Sequence, residues 1–169
     1  MVRIFRNGII MGRLTVKGIV TEDFTQYKEC SMVVMFPSCT FKCEKESGCK
    51  MCQNSELTKA KSIDTSTERI IAIFDQSDIS KALVLSGLEP FDSTEELMDL
   101  VTEFRKQHNH TIVIYTGYNK EELSKYIPEL HQLGNIVIKY GRFIPNQTKH
   151  FDECLGVYLA SENQYAELV

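Results

Sequence analysis

The stretch KALVLSGLEPFDSTEELMDLVTEFRKQHNHTIVIYTGY, residues 81–118, decides the fold class of this chain. The stretch begins and ends with short apolar runs, at 81–87 and 110–118, and both are typical of buried strands. Between them, residues 92–107 carry apolar side chains at helical spacing behind a Ser-Thr cap at 93–94. A strand, a helix and a strand in this order predict a parallel strand pair joined by a crossover helix.

The same alternation of strands and helices continues on both sides of this stretch. We predict a strand at 30–38, a helix at 68–76, a helix at 119–134 that Pro128 interrupts, and a strand at 135–141. Strands that are apolar along their whole length are buried on both faces, as in a parallel sheet covered by helices. We therefore expect an α/β fold with a mostly parallel sheet and covering helices.

The 169 residues fit a single domain spanning 1–169, since the chain shows no internal repeat, low-complexity tract or long linker. Within it we expect an N-terminal hairpin cover over 1–30, with the hairpin itself at 8–20. Residues 31–57 then hold the first strand and a cysteine-rich loop, and 58–169 the remaining sheet and helices.

Composition and charge exclude several classes of function. Hydrophobic residues make up 43% and charged residues 25%, which is typical of a globular protein. A formal charge of −4 provides no basic face, so we expect no nucleic acid partner. No apolar run approaches the roughly 18 residues needed to cross a bilayer, and the N-terminus lacks a signal-peptide core. We therefore expect a cytoplasmic protein with no membrane partner.

Three unusual loops follow successive predicted strands. A cysteine-rich loop follows the strand at 30–38, SGLEP (86–90) follows the second strand, and TGY (116–118) follows the third. In parallel sheets, ligands bind beyond the carboxyl ends of the strands. The three loops are therefore predicted to meet at one rim of the sheet.

The cysteine-rich loop, FPSCTFKCEKESGCKMCQNSE (36–56), holds four of the six cysteines, Cys39, Cys43, Cys49 and Cys52. In a reducing compartment such a cluster indicates a metal site rather than disulfides. Three sites are possible: an all-thiolate zinc site, a closed iron–sulfur cluster with four cysteine ligands, or a cluster on three cysteines with one open iron. Structural zinc usually joins segments that are distant in the chain. Here all four thiols lie in one loop at the rim of the sheet, so a zinc ion would join little of the chain, and this favours an iron–sulfur cluster.

At several points the sequence resembles a known family. CTFKC (39–43) followed by CQN (52–54) resembles the cluster loop of radical S-adenosylmethionine enzymes, and SGLEP resembles their glycine–glycine–glutamate–proline motif. More narrowly, the order of IVIYTGYNKEEL, IKYGRFIPNQT and ASENQYAEL is similar to that in the activating proteins of anaerobic ribonucleoside-triphosphate reductases. The resemblance runs from about residue 16 to residue 165.

The chain departs from the family pattern at three places. Its cysteine loop has six extra residues, so Cys39, Cys43 and Cys52 are the favoured ligands while Cys49 is a possible substitute. Leu88 stands where the family has the second glycine of its glutamate–proline motif. The segment SENQY at 161–165 lacks the arginine that the family carries there.

The resemblance implies a cofactor pair and a reaction. Three thiolates would hold a 4Fe–4S cluster whose fourth iron is left for S-adenosyl-L-methionine, with no catalytic side chain beyond the cluster ligands. Reductive cleavage of the sulfonium bond would give methionine and a 5′-deoxyadenosyl radical. The resemblance also implies a shortened partial (βα) barrel and anaerobic glycyl radical activation of a large reductase subunit, with reduced flavodoxin or ferredoxin as the electron donor. The alternatives are activation of another glycyl-radical enzyme, peptide modification, or a non-catalytic zinc or iron–sulfur binding module.

Five residues of the two later loops are candidates for contact with the cofactor. Glu89 suits a carboxylate that accepts from the methionine ammonium, and Ser86 and Gly87 would bring the main chain close to the ligand. Tyr115 and Thr116 either line an adenosine pocket or form an ordinary turn.

Overall fold

A computed structural model of the protein describes residues 4–6, 9–50 and 52–169, with side chains from residue 12 onward apart from residue 51. Its strands are Ile4–Arg6 (β1), Ile9–Met11 (β2), Arg13–Val16 (β3), Gly18–Asp23 (β4), Ser31–Phe36 (β5), Ile63–Ser66 (β6), Ala82–Gly87 (β7), Thr111–Tyr115 (β8), Ile136–Tyr140 (β9), His150–Asp152 (β10), Val157–Leu159 (β11) and Tyr165–Leu168 (β12). Its α-helices are Lys42–Ser47 (α1), Ser55–Lys59 (α2), Thr67–Phe74 (α3), Thr94–Gln107 (α4) and Ile127–Leu133 (α5).

The main sheet has six strands in the order β12-β9-β8-β7-β5-β4. The four central strands, β5, β7, β8 and β9, run parallel, and they are the four strands that the apolar runs predict. The outer strands β4 and β12 pair antiparallel with β5 and β9. The sheet is therefore mixed, and its parallel centre brings four carboxyl strand ends to one edge.

Two apolar layers hold the sheet in place, because successive side chains of a strand point to opposite faces. On one face the fully buried Leu83, Leu85 and Ile112 pack with α3 and α4, whose Ile70 and Phe104 are also fully buried. The other face carries a layer of valines packed with Tyr27, Leu155 and Leu159. Burial on both faces fixes the register of the central strands, since a slip by one residue would exchange the two layers.

The helices differ from the sequence predictions at two places. The segment predicted to be one helix over 119–134 forms a 3₁₀ turn at Lys120–Leu123 and then α5. Pro128 lies in the first turn of α5, where the missing N–H costs nothing, so it begins the second helix rather than interrupting one. Helix α4 begins at Thr94, after a 3₁₀ turn at Pro90–Ser93. Of the helices in the described ranges, none combines the length and apolarity that a membrane crossing requires.

The N-terminal segment does not form the predicted single hairpin over 8–20, whose first residue lies outside the described residues. Strand β2 pairs with β1, and β3 pairs with β6. Strand β4 joins the main sheet beside β5, with a register shift between Val20 and Asp23. The segment thus adds an antiparallel edge strand to the sheet, a long-range pairing that a local sequence pattern does not predict.

Candidate functional site

A cavity of about 350 Å³ lies at the carboxyl ends of the four parallel strands. Three segments that the sequence predicted to meet there contribute to it: the cysteine loop, the loop after β7 and the end of β8. The predicted site residues that line it are Cys39, Cys43, Cys52, Ser86, Gly87, Glu89, Tyr115 and Thr116. Of the predicted site residues, only Cys49 does not line this cavity.

Two of the cysteines receive hydrogen bonds from their own loop. The main-chain N–H of Phe41 donates to Cys39 Sγ at 3.2 Å, and that of Asn54 donates to Cys52 Sγ at 3.4 Å. Burial nevertheless raises the pKa of Cys39 to about 11, and it also raises the pKa of Cys52. Thiolates at these positions therefore need a bound cation, and loading a metal would release their protons.

Cys49 differs from the other three cysteines of the loop, because it does not line the main cavity. Its side chain is exposed, and it borders a small separate crevice that Cys43, Cys52 and Phe143 also line. The structure thus brings Cys39, Cys43 and Cys52 together at the main cavity. Their assignment as ligands, with Cys49 as the spare thiol, stays a prediction.

The loop after β7 has a main-chain conformation that requires glycine. Gly87 has φ +92°, and a Cβ atom there would lie 2.7 Å from the main-chain nitrogen of Phe36. The next two residues extend the strand pairing, as the N–H groups of Leu88 and Glu89 donate to the carbonyls of Phe36 and Ser38. The loop therefore stays against β5 and delivers Glu89 to the cavity.

Glu89 is held at one position by three donors. Its carboxylate accepts from Thr116 Oγ1 at 2.7 Å, from the N–H of Gly117 at 2.8 Å and from the N–H of Phe91 at 3.1 Å. Burial raises the pKa of Glu89 to about 7, although these three donors act in the opposite direction. A buried carboxylate fixed in this way favours a cationic ligand in the cavity.

The two candidates at the end of β8 play different parts. Thr116 donates to Glu89 and so positions that carboxylate. The ring of Tyr115 lines the cavity, but its hydroxyl donates to the carbonyl of Gln26 at 2.5 Å. Burial raises the pKa of Tyr115, so the hydroxyl stays a neutral donor that ties the 24–30 segment to the sheet.

The sequence analysis missed Lys139, which lies on β9 and also lines the cavity. Its side chain is buried, and Nζ donates to the carbonyl of Gly141 at 3.2 Å. Burial lowers the pKa of Lys139 to about 8. The signal was present in the run NIVIKYG, where one cation stands near the carboxyl end of an otherwise apolar strand.

A second residue that the sequence analysis missed, Arg142, joins the cysteine loop to the rest of the rim. Its guanidinium binds Glu46 of α1 at 3.1 Å and Glu122 at 2.8 Å, and it also donates to the carbonyl of Gly117. Neither α1 nor α2 contains a buried residue. Polar contacts such as these therefore hold the cysteine loop in place, rather than apolar packing.

Asn54 adds another polar contact between the two loops. Its Nδ2 donates to the carbonyl of Gly87 at 2.6 Å. Asn54 stands at the N-cap position of α2, a common place for asparagine, but its side chain makes no cap hydrogen bond with that helix. The side chain instead fixes the last cysteine next to the loop that carries Glu89.

A family model described as a 4Fe-4S single cluster domain matches residues 28–164. The chain belongs to this family. The family supports a 4Fe–4S cluster as cofactor and is compatible with an iron–sulfur oxidoreductase. The comparisons with curated proteins and with solved structures found no match.

The residues at the cavity fit such a cluster. Within the described ranges, no three Cys, His, Asp or Glu side chains converge closely enough to hold one metal ion. A 4Fe–4S cluster instead takes each thiolate on a different iron, so its ligands stand apart around a shared space. Cys39, Cys43 and Cys52 line one cavity, and two of them accept N–H···S bonds of the kind that tune cluster potentials.

Proposed function

We propose that this protein is a radical S-adenosylmethionine activase that generates a glycyl radical on an anaerobic ribonucleoside-triphosphate reductase. One observation carries the proposal: a single cavity joins three cysteine thiols to the buried, fixed carboxylate of Glu89. Membership of a 4Fe–4S family supports the cluster half of this site. The cofactor and the partner rest on the resemblance of the cysteine loop, SGLEP and the segments that follow them.

In this proposal the residues of the chain bind and orient the two cofactors. Cys39, Cys43 and Cys52 would hold the cluster, which supplies one electron for reductive cleavage of S-adenosyl-L-methionine when bound. Glu89 accepts from the ammonium group of the methionine end, while Thr116 keeps the carboxylate oriented toward it. The main-chain atoms of Gly87 approach the ligand because no Cβ intervenes.

The chain also limits side reactions of the radical. Apolar side chains wall the cavity beside its polar groups, including Met35, Leu57, Leu88 and Phe143. An apolar wall of this kind keeps water and other sources of hydrogen atoms away from a reactive intermediate. The 5′-deoxyadenosyl radical would then receive its hydrogen atom from a glycine of the partner, which would leave 5′-deoxyadenosine and a glycyl radical on the partner.

A large partner suits the architecture that we propose. The sheet has six strands with antiparallel edges at β4 and β12. We propose that it is the shortened partial barrel of the radical S-adenosylmethionine type, with its open rim facing a glycine loop of the reductase. Reduced flavodoxin or ferredoxin would supply the electron.

The test begins with anaerobic reconstitution and metal analysis. We expect about four irons per chain. With S-adenosyl-L-methionine and dithionite, the loaded protein should then produce methionine and 5′-deoxyadenosine in equal amounts. The absence of 5′-deoxyadenosine with an intact cluster would overturn the proposal, and one zinc per chain without iron would support the binding-module alternative.

The partner is tested separately by electron paramagnetic resonance. The loaded protein is mixed with the large reductase subunit, S-adenosyl-L-methionine and a reductant, and a glycyl radical signal on the reductase is expected. The same subunit with its radical-site glycine replaced by alanine is the matched control. Cleavage of the cofactor without a radical on this subunit would indicate another glycyl-radical enzyme or a peptide as the substrate.

A further inference from the structure

The exposed thiol of the cysteine loop, Cys49, stands close in sequence to a second thiol. The sequence Cys-Lys-Met-Cys at 49–52 places Cys52 after two intervening residues, the spacing of many redox-active thiol pairs. Cys49 and Cys52 line one small crevice together with Cys43. Cys49 is exposed, whereas the other two are partly buried. Three thiols that differ in their access to solvent therefore share this crevice.

The part of the loop that carries Cys49 is held by local contacts. Gly48 ends α1 in the left-handed region at φ +67°, and nothing lies within 4 Å of a Cβ atom added there. The N–H of Cys49 donates to Ser47 Oγ at 3.3 Å, a contact between near neighbours in the chain. Three residue steps span at most roughly 10 Å, so a turn is enough to bring Cys49 and Cys52 to the Cα separation of a disulfide, about 5.5–6 Å.

Of the two partly buried thiols, Cys52 is the better partner for Cys49. Cys43 lies in α1, and its Sγ would be 3.1 Å from a Cβ atom at Gly117, so the sulfur faces the segment after β8. A bond between Cys43 and Cys49 would move a thiol away from that segment. A bond between Cys49 and Cys52 needs only a change in the loop between them.

We propose that Cys49 and Cys52 form a reversible disulfide in the cluster-free protein, and that this disulfide controls whether a cluster can be loaded. The Cys49 thiolate attacks a low-molecular-weight disulfide such as glutathione disulfide, which gives a mixed disulfide and releases one small thiol. Cys52 then attacks the Cys49 sulfur, which closes the protein disulfide and releases the second small thiol. The protein loses two electrons and two protons, and the small disulfide gains them.

The disulfide would remove one ligand of the cluster. The inference rests on the cluster half of the proposed function, in which Cys52 is one of three ligands. With its sulfur in a disulfide, only Cys39 and Cys43 remain, and a cluster with one open iron needs three thiolates. A dithiol would reverse the reaction and restore the third ligand. Cys49 would then link cluster assembly to the thiol–disulfide balance around the protein without being a ligand itself.

The first experiment identifies the bond. Cluster-free wild type is reduced, freed of reductant, incubated anaerobically with glutathione disulfide and treated with an alkylating reagent that blocks the remaining thiols. Trypsin cleaves after Lys42, Lys45 and Lys50, so Cys43, Cys49 and Cys52 fall on three different peptides. We expect mass spectrometry to show the Cys49 peptide joined to the Cys52 peptide, and dithiothreitol to separate them.

The second experiment measures loading. Reduced and oxidised proteins receive clusters from a 4Fe–4S carrier protein without added thiol, and iron is measured after the chain is purified again. We expect about four irons per chain for reduced wild type, less than about one after oxidation, and about four again after dithiothreitol. Cys49→Ser cannot form the disulfide and should take up about four irons under all three conditions. Cys154→Ser, which removes a thiol between β10 and β11, is the matched control and should respond as wild type does.

The outcomes separate this inference from the proposed function. If reduced wild type takes up no iron, the cluster half of the proposed function fails and the inference fails with it. If reduced wild type is loaded but no Cys49–Cys52 bond forms, or the bond forms and loading is unchanged, the inference alone is overturned. A Cys43–Cys49 bond would also overturn it. If Cys49→Ser takes up no iron even when reduced, Cys49 is a cluster ligand rather than a switch.

Discussion

Two loops follow neighbouring parallel strands and line the same cavity, yet they are held by different forces. In the loop after β7, Glu89, Pro90 and Phe91 are all buried, and the main chain continues the pairing with β5. The cysteine loop after β5 contains two short helices without a single buried residue. One loop is therefore formed by packing before any ligand arrives, whereas the other depends on polar contacts and on what its thiols bind.

This difference assigns separate tasks to the two loops. Because a metal site is not preformed in a loosely held loop, the free energy of cluster binding is also the free energy that orders the cysteine loop. The loop after β7 needs no such contribution, since apolar burial and three hydrogen bonds already fix Glu89. We therefore expect substitutions in the cysteine loop to act on cluster content and substitutions in the loop after β7 to act on stability.

The largest effect is expected from the cysteines themselves. Serine at Cys39, Cys43 or Cys52 should abolish both the cluster and the cleavage of S-adenosyl-L-methionine, because a cluster with an open iron needs three thiolates. Cys49→Ser should keep about four irons per chain, since Cys49 is exposed and does not line the cavity. Iron analysis and cluster absorbance after anaerobic reconstitution provide the measurement.

Cys43→Ser and Cys49→Ser form the deciding pair in this series. In the competing assignment, Cys49 and Cys52 are the second and third ligands, because two residues separate them as in the family's cluster loop. Cys43 is then not needed as a ligand. An active Cys43→Ser together with an inactive Cys49→Ser would place the insertion between the first and second ligands and contradict our choice.

A glycine in each loop gives the next comparison. Gly87→Ala should lower the free energy of unfolding by about 2–4 kcal/mol, since alanine is strained at φ +92° and its Cβ would meet the main chain of Phe36 and Met35. Gly48→Ala also places alanine in the left-handed region, but nothing lies within 4 Å of the added atom. It should cost only about 1 kcal/mol. Urea unfolding of the cluster-free proteins measures both, and equal losses would contradict the difference in packing.

Much of this arrangement could be predicted from the sequence where the signal is local. The apolar runs located β5, β7, β8 and β9, because strands buried on both faces have continuous apolar sequences. The loops at their carboxyl ends could be placed together because parallel strands share one edge. The predicted rim residues from Cys39 to Thr116 were therefore expected at one site, and the structure brings all of them except Cys49 to one cavity.

The features that sequence reasoning missed depend on partners far away in the chain. Arg142 binds Glu46 across 96 residues, and no periodicity connects such positions. Strands β4 and β12 were missed because an antiparallel edge pairing is decided by tertiary contacts rather than by local propensity. Lys139 was missed because a single lysine in a strand is ordinary until the fold buries it.

A smaller effect concerns the acid stability of the rim. Hydrogen bonding from Arg142 holds the pKa of Glu122 at about 2, below its ordinary value of 4.5. A carboxylate with a lowered pKa stabilises the fold fully above pH 4.5 and loses that contribution as the pH falls toward 2. Glu122→Gln should therefore be less stable than wild type by about 1–2 kcal/mol at pH 7, after allowance for its partial exposure.

The pH dependence of that difference is the test. The gap between wild type and Glu122→Gln should stay constant above about pH 5 and close between pH 4.5 and 2, as measured by thermal unfolding of the cluster-free proteins. A gap that persists unchanged to pH 2 would mean that the ionised form of Glu122 contributes nothing through Arg142.

The smallest effect should come from Glu46, which connects the cysteine loop to Arg142. Its side chain is 58% exposed, so the ion pair is worth about 0.5–1 kcal/mol and global stability should hardly change. Because the loop has no buried anchor, that small loss should fall on the loop itself. We expect Glu46→Gln to release iron to a chelator about twofold to fivefold faster than wild type, as the ion-pair energy implies. Glu103→Gln, which removes an exposed ion pair on α4, is the matched control and should release iron at the wild-type rate. Equal rates for both variants would mean that the cysteine loop is held by its cluster alone.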